Sequence, residues 1–243
     1  MAGHSKWSTI KRKKGALDQK RGKIFSTISK EITISSRLGG KDVDSNPRLR
    51  QAIKKAKSLN MPNSNIEKAV KKGVGEIDNV IFEEVDYEGY GPFGVAVYIE
   101  AITDNKNRTV ADVRHSLTKF DGSLGQTGSV SWNFDRVGTL IFDKDSFTED
   151  ELFELSIENN AKDFIEEEDC YKMIFNHQEM YDKIDYFEKK QLIVENSYFE
   201  YIAKDLIEID KNQEEKVIKM INFLEELEDV QNVYTNYYLS KIQ

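Results

Sequence analysis

The sequence predicts an α+β protein of several domains. A basic helical amino-terminal domain is followed by two ferredoxin-like α/β domains, one inserted in the other. Three observations predict this. Apolar residues recur at helical spacing up to Gly73, then give way from Val80 to the alternation of strands. The strand-and-helix order reads βαββαβ in the middle of the chain. The charge also changes sign: residues 1–75 hold 19 Lys and Arg against 5 Asp and Glu, and the remainder holds 16 against 38. The expected division is residues 1–78 as the basic helical domain, 79–135 with 201–243 as a discontinuous α/β domain, and 136–200 as the inserted one.

Residues 1–15 have no clear period. Residues 16–38 carry Leu17, Ile24, Phe25, Ile28, Ile32 and Leu38 at helical spacing, and Gly39 with Gly40 ends that helix. Asn46 before Pro47 starts a second helix, cap then first-turn proline. Its apolar side is Leu49, Ala52, Ile53, Ala56 and Leu59, and Asn60, Met61 and Pro62 stop it. Ser64 with Glu67 is expected as a capping box for a third helix with Ile66, Ala69 and Val70 inward, ending at Gly73. This pair does not suit a DNA-reading helix-turn-helix, because the link holds proline and the charges of the third helix, Lys71 and Lys72, lie at its far end.

Strands are expected at 81–87 and 93–102, around a glycine-rich turn. A helix follows at 107–120, started by Thr109 with Asp112, then a strand at 130–134. The inserted unit begins after Gly138. Its strand 140–142 leads to a helix opened by Thr148 with Glu151, and a hairpin pairs 164–165 with 171–175. A helix started by Asn176 with Glu179 and a strand at 192–194 complete it. A strand at 206–209, a helix at 212–227 and a strand at 230–238 return to the outer unit, which therefore also reads β, α, β, then β, α, β from residue 93.

Composition narrows the function. The charge split is a division of labour in which the front binds an anion while the body stays soluble and repels it. A single cysteine, Cys170, excludes an intrachain disulfide and suits a reducing cytoplasm. No apolar run approaches the roughly 20 residues of a membrane helix, and the basic amino end has no apolar stretch behind it to make a secretory signal. The sequence GYGPFG over residues 89–94 spells a dinucleotide fingerprint but lies between two strands, so it reads as a hairpin turn. Cys170 stands beside Asp169 and Glu168, which keep it a thiol. The three histidines, His4, His115 and His177, have no metal-ligand spacing. No enzyme, metal or cofactor is therefore expected. Residues 103–109 (TDNKNRT) open a helix whose N–H groups, with Lys106 and Arg108, could face an anion, an expectation balanced against ordinary capping by Asn and Thr.

Several motifs carry a resemblance over the whole chain: MAGHSKW at 1–7, KRGKIF at 20–25, LGG at 38–40, NPRLR at 46–50, NMP at 60–62, YEGYGP at 87–92, TDNKNRT at 103–109, GSV at 128–130 and DVQNVY at 229–234. In these the chain resembles the YebC/PmpR family, which includes the mitochondrial translational activator of cytochrome c oxidase. The resemblance implies three domains and a cytoplasmic nucleic-acid-binding regulator without catalysis. Its members are described as DNA-binding transcriptional regulators. Others are described as translation factors that bind the ribosome and its RNA and relieve stalling at proline-rich stretches. An acidic protein-binding adaptor is a third alternative. The expected nucleic-acid-binding residues are Lys6, Lys11, Arg12, Lys13, Lys14, Lys20, Arg21, Lys23, Arg48, Arg50, Lys54, Lys55, Lys57, Lys71 and Lys72. Asn60, Met61, Pro62, Lys106 and Arg108 are expected as loop contacts.

Overall fold

The structure, a computed structural model, describes residues 17–77 and 80–240, with side chains from residue 22 onward. The chain forms two compact units, Met1–Trp132 with Asp205–Gln243, and Asn133–Lys204.

The first unit opens with helices α1 (Leu17–Gly39), α2 (Pro47–Ser58) and α3 (Asn63–Gly73). Ile28, Ile32, Leu49, Ala52, Ala56, Met61, Ile66 and Ala69 form their shared core. Gly40 takes the left-handed conformation, φ +82°, that ends α1. The Asn46 carboxamide then joins two helix ends: its oxygen accepts the Leu49 N–H at 3.1 Å, and its Nδ2 donates to the carbonyls of Ser35 and Gly40 at 2.8 Å each. At the α1–α3 crossing, a Cβ on Gly73 would stand 2.3 Å from the Thr33 carbonyl oxygen, so only glycine lets the backbones approach so closely. The expected capping box at Ser64 does not form. Helix α3 starts two residues earlier, at Asn63, with no side-chain cap, because the Pro62 carbonyl already accepts the N–H groups of Asn65 and Ile66 at 2.9 and 3.2 Å.

The α/β part of this unit holds β1 (Glu83–Tyr90), β2 (Ala96–Thr103), helix α4 (Lys106–Lys119) and β3 (Ser123–Leu124) before the second unit. Then β4 (Phe134–Asp143), α5 (Glu149–Glu158), β5 (Asp163–Glu166), β6 (Cys170–Asn176), α6 (Met180–Lys189) and β7 (Asn196–Ala203) make up that second unit, and β8 (Ile207–Ile209), α7 (Lys211–Glu225), β9 (Val230–Thr235) and β10 (Tyr237–Leu239) return to the first. The outer sheet runs β3-β1-β2-β9 with antiparallel neighbours. Val97, Ile99 and Ala101 of β2 pack there against Val113 and Leu117 of α4 and Val217, Met220 and Leu224 of α7. The expected βαβ–βαβ order had placed residues 206–209 in this sheet. They form instead a short parallel ribbon with β10, and the third position goes to β1. The reason is local: β1 joins β2 through a tight turn and shares an eight-residue register with it, whereas β8 offers three residues. The GYGPFG stretch makes that turn, as expected of a hairpin, with Phe93 at φ +63°.

Two further expectations move here. Helix α4 is capped by Asn105, whose side chain accepts the Arg108 N–H at 3.1 Å, while Thr109 lies buried within the first turn. Residues 130–134 do not form a strand: Ser131–Asn133 is a 3-10 turn and β4 begins at Phe134. The N–H groups of Val130 and Ser131 are committed to the Glu88 carboxylate, so they cannot join a ladder.

The second unit has the order β5-β6-β4-β7, all antiparallel, the arrangement of a βαββαβ ferredoxin-like sheet. Leu140, Phe142, Leu152, Met173, Phe175, Ile184 and Phe187 make its core. The Thr148–Glu151 capping box forms as expected. A 3-10 turn, His177–Glu179, precedes α6 where Asn176 was expected to cap it. The strand expected at 192–194 forms at Asn196–Ala203, because Val194 turns into the core ahead of it. The fold class read from the sequence holds: a helical amino-terminal region, then sheet domains.

Candidate nucleic-acid interface

Lys6, Lys11, Arg12, Lys13 and Lys14 lie outside the described residues, and of Lys20 and Arg21 only the backbone, in α1, is described. The remaining candidates fall into two groups.

On α2, burial of Leu49, Ala52 and Ala56 fixes the helix's rotation, which leaves Lys54, Lys55 and Lys57 exposed and Arg50 half-buried. Arg50, Lys54 and Lys57 follow i, i+4, i+7 spacing and so share one outward stripe. The Arg50 guanidinium donates to the Asp44 carbonyl at 3.3 Å, which braces it near the start of the helix. Arg48 is on the other edge and turns inward. Its Nε meets Glu31 Oε1 at 2.8 Å and its Nη2 meets Glu84 Oε1 at 2.5 Å, tying α2 to α1 and β1. Burial works against the charges of this pair, but their mutual hydrogen bonds outweigh it, raising the Arg48 pKa and lowering that of Glu31. Lys71 is exposed at the end of α3, and the Lys72 amine sits 5.0 Å over the Phe82 ring.

The second group surrounds Asp229, directly ahead of β9. This buried carboxylate accepts from Lys30 Nζ at 2.7 Å, Thr103 Oγ1 at 3.2 Å, Arg108 Nη2 at 2.7 Å and Thr109 Oγ1 at 2.7 Å. Burial alone would raise its pKa, but the bonds from Lys30, Arg108 and Thr109 prevail and hold it at about 2. The anion expected at the start of α4 is therefore supplied by the protein itself. Arg108 also pairs with Asp104 at 2.9 Å, and Lys106 with Glu83 at 2.6 Å. Lys23 is used similarly: its amine donates to the carbonyls of Glu225 and Leu227 at the carboxyl end of α7, where the helix dipole favours a cation.

The loop expected to touch nucleic acid divides as well. Asn60, at φ +57°, and Pro62 are exposed, but Met61 is 4% exposed and belongs to the core of the three helices. Met61 is thus a packing residue, because the sharp turn at Asn60 swings it inward. His115 is exposed on α4 and Cys170 is buried, and burial pushes the Cys170 thiol pKa up. Among the described residues no cluster of His, Cys, Asp and Glu is arranged to hold a metal, and no helix is long and apolar enough to cross a membrane.

Sequence reasoning missed Asp229 and Lys30 as partners, since 199 positions separate them. It also missed Glu88, whose carboxylate accepts the N–H groups of Gly128, Val130 and Ser131 at 2.8, 2.8 and 2.7 Å. Burial would raise the Glu88 pKa, but these backbone donors lower it.

Residues 5–76 match the family description "TACO1/YebC protein N-terminal domain", and residues 82–237 match "TACO1/YebC second and third domain". A probable transcriptional regulatory protein of Syntrophus aciditrophicus is 52% identical over 239 residues, covering 98% of this chain and 95% of the relative. One from Geobacter sulfurreducens is 46% identical, covering 99% and 97%. The crystal structure of a conserved hypothetical protein, Aq1575, from Aquifex aeolicus superposes with a TM-score of 0.85 at 42% identity and covers 93% of each chain. Matched along nearly its whole length in sequence and in fold, the chain belongs to the TACO1/YebC family.

Proposed function

We propose that this chain is a cytoplasmic regulator of gene expression that binds DNA through the phosphate backbone. It does so with the outward stripe of α2 (Arg50, Lys54 and Lys57), with Lys55 and Lys71 beside it, and with the basic stretch ahead of α1. The observation that carries the reading is this stripe on a segment of net charge +14, 19 basic against 5 acidic residues, while the remainder carries 38 acidic against 16 basic ones. Such a split orients the molecule with its basic front toward a polyanion. The printed names of the relatives support regulation of transcription. Arg48, Lys23 and Lys30 are left out of the interface because they turn inward, and Lys106 and Arg108 because, at the start of α4 and off the α2 stripe, each pairs with a carboxylate.

The test is a binding titration of the full chain on a short labelled duplex across a salt series. If roughly five to eight cations displace counterions, log K against log salt falls with a slope of about −4 to −7. A slope near zero overturns the reading.

A further inference from the structure

Phosphate contacts hold a nucleic acid but do not select among its forms. A second feature of the first unit can. Trp132 is 60% exposed and Tyr90 39% exposed. The Trp132 indole N–H donates to the Ser129 carbonyl at 3.0 Å, and the Tyr90 hydroxyl donates to the same oxygen at 3.1 Å. Two aromatic side chains are thus fastened by their polar ends to one atom. That atom is itself held in place. Glu88, buried to 5% exposure, accepts the N–H groups of Gly128, Val130 and Ser131, and the Gly125 N–H donates to the Glu88 carbonyl at 2.8 Å. Gly128 takes φ +90°, which the turn into this cradle requires. Residues 125–132 carry no charge.

We infer that Tyr90 and Trp132 form a stacking platform for unpaired nucleobases, so that the ligand of this face is single-stranded nucleic acid. The inference rests on the nucleic-acid reading above and adds the form of ligand to it. Two physical points select this occupant. Stacking needs rings that do not have to be ordered on binding, and both rings are already anchored. It also uses only ring faces. An extended proline-rich peptide would bring carbonyls with no internal partners, and the two donors that could serve them are engaged with Ser129. A duplex offers no free base face, so it gains nothing from this platform.

The test uses the full chain, a single-stranded uridine oligonucleotide, a duplex of equal length and a proline decamer. Trp132→Leu removes the ring, and Trp132→Phe keeps a ring without the N–H. Trp132→Leu should weaken single-strand binding about tenfold, with duplex affinity unchanged and the phenylalanine variant, which keeps a ring but loses its anchor, falling between wild type and Trp132→Leu. Quenching of a 2-aminopurine placed in the oligonucleotide should report the stack and vanish in Trp132→Leu. Circular dichroism confirms the fold. Equal losses on single strand and duplex, no loss on the single strand, or decamer binding that depends on Trp132 would each overturn the platform while leaving phosphate binding intact. Absence of binding to either nucleic acid would overturn both readings.

Discussion

Helix α2 and the start of α4 offer similar cations and use them in opposite ways. At α4, Lys106 and Arg108 each meet a carboxylate of the protein, and the buried Asp229 gathers Arg108, Lys30, Thr103 and Thr109 around itself. At α2, Arg48 is consumed by Glu31 and Glu84, but one stripe over, Arg50, Lys54 and Lys57 face outward. The difference shows that cationic sequence marks where an anion is needed, not whose anion it is. For Lys30 and Arg48 burial decides: a cation turned inward is costly without a partner from its own chain, whereas Lys106 and Arg108 are paired while still exposed.

The comparison can be broken hardest at Asp229. Asp229→Asn leaves Lys30, only 5% exposed, without its counter-charge, and should cost about 3 kcal/mol of stability, read as a lower midpoint in denaturant. The wild type should show the same bond in acid. With a pKa of about 2 against an ordinary 3.8, the Asp229 contribution is full above about pH 4 and lost as pH falls toward 2. The variant's stability should therefore change less across that window.

A smaller effect is expected at Arg48. Arg48→Met strands the Glu31 carboxylate and should cost about 1–3 kcal/mol, with the salt dependence of DNA binding unchanged. Replacing Arg50, Lys54 and Lys57 together by Ala should do the reverse. Thermal stability should hold, while the slope of log K against log salt flattens by about 2 to 3. An unchanged slope would place the contacts elsewhere. Smallest of all, Lys106→Ala removes only a surface pair and should alter neither the melting temperature nor DNA affinity measurably. A clear loss of affinity there would return the start of α4 to the interface.

Much of the fold was legible because its determinants are local. Asn46 before Pro47, Thr148 with Glu151, and the glycine-rich hairpin each act within a few residues. Errors arose where a distant group competed. Val130 and Ser131 look like a strand until Glu88 claims their N–H groups. Residues 206–209 look like a sheet strand until β1 takes the place beside β2. Thr109 looks like a cap until Asp229 draws its hydroxyl inward. Of the candidate site, the α2 stripe follows from helical spacing, whereas Met61, Lys23 and Arg48 had no linear mark of their inward roles.

The sequence by itself determined the basic front and acidic body, the helical start and the change to strands, because charge and periodicity are properties of neighbours along the chain. The tertiary structure alone decided which cations keep an internal partner and which strand completes the outer sheet. It also brought Tyr90 and Trp132 to one carbonyl. Each of these depends on groups far apart in sequence, where burial makes an unmatched charge or hydrogen bond costly and leaves only the satisfied arrangement.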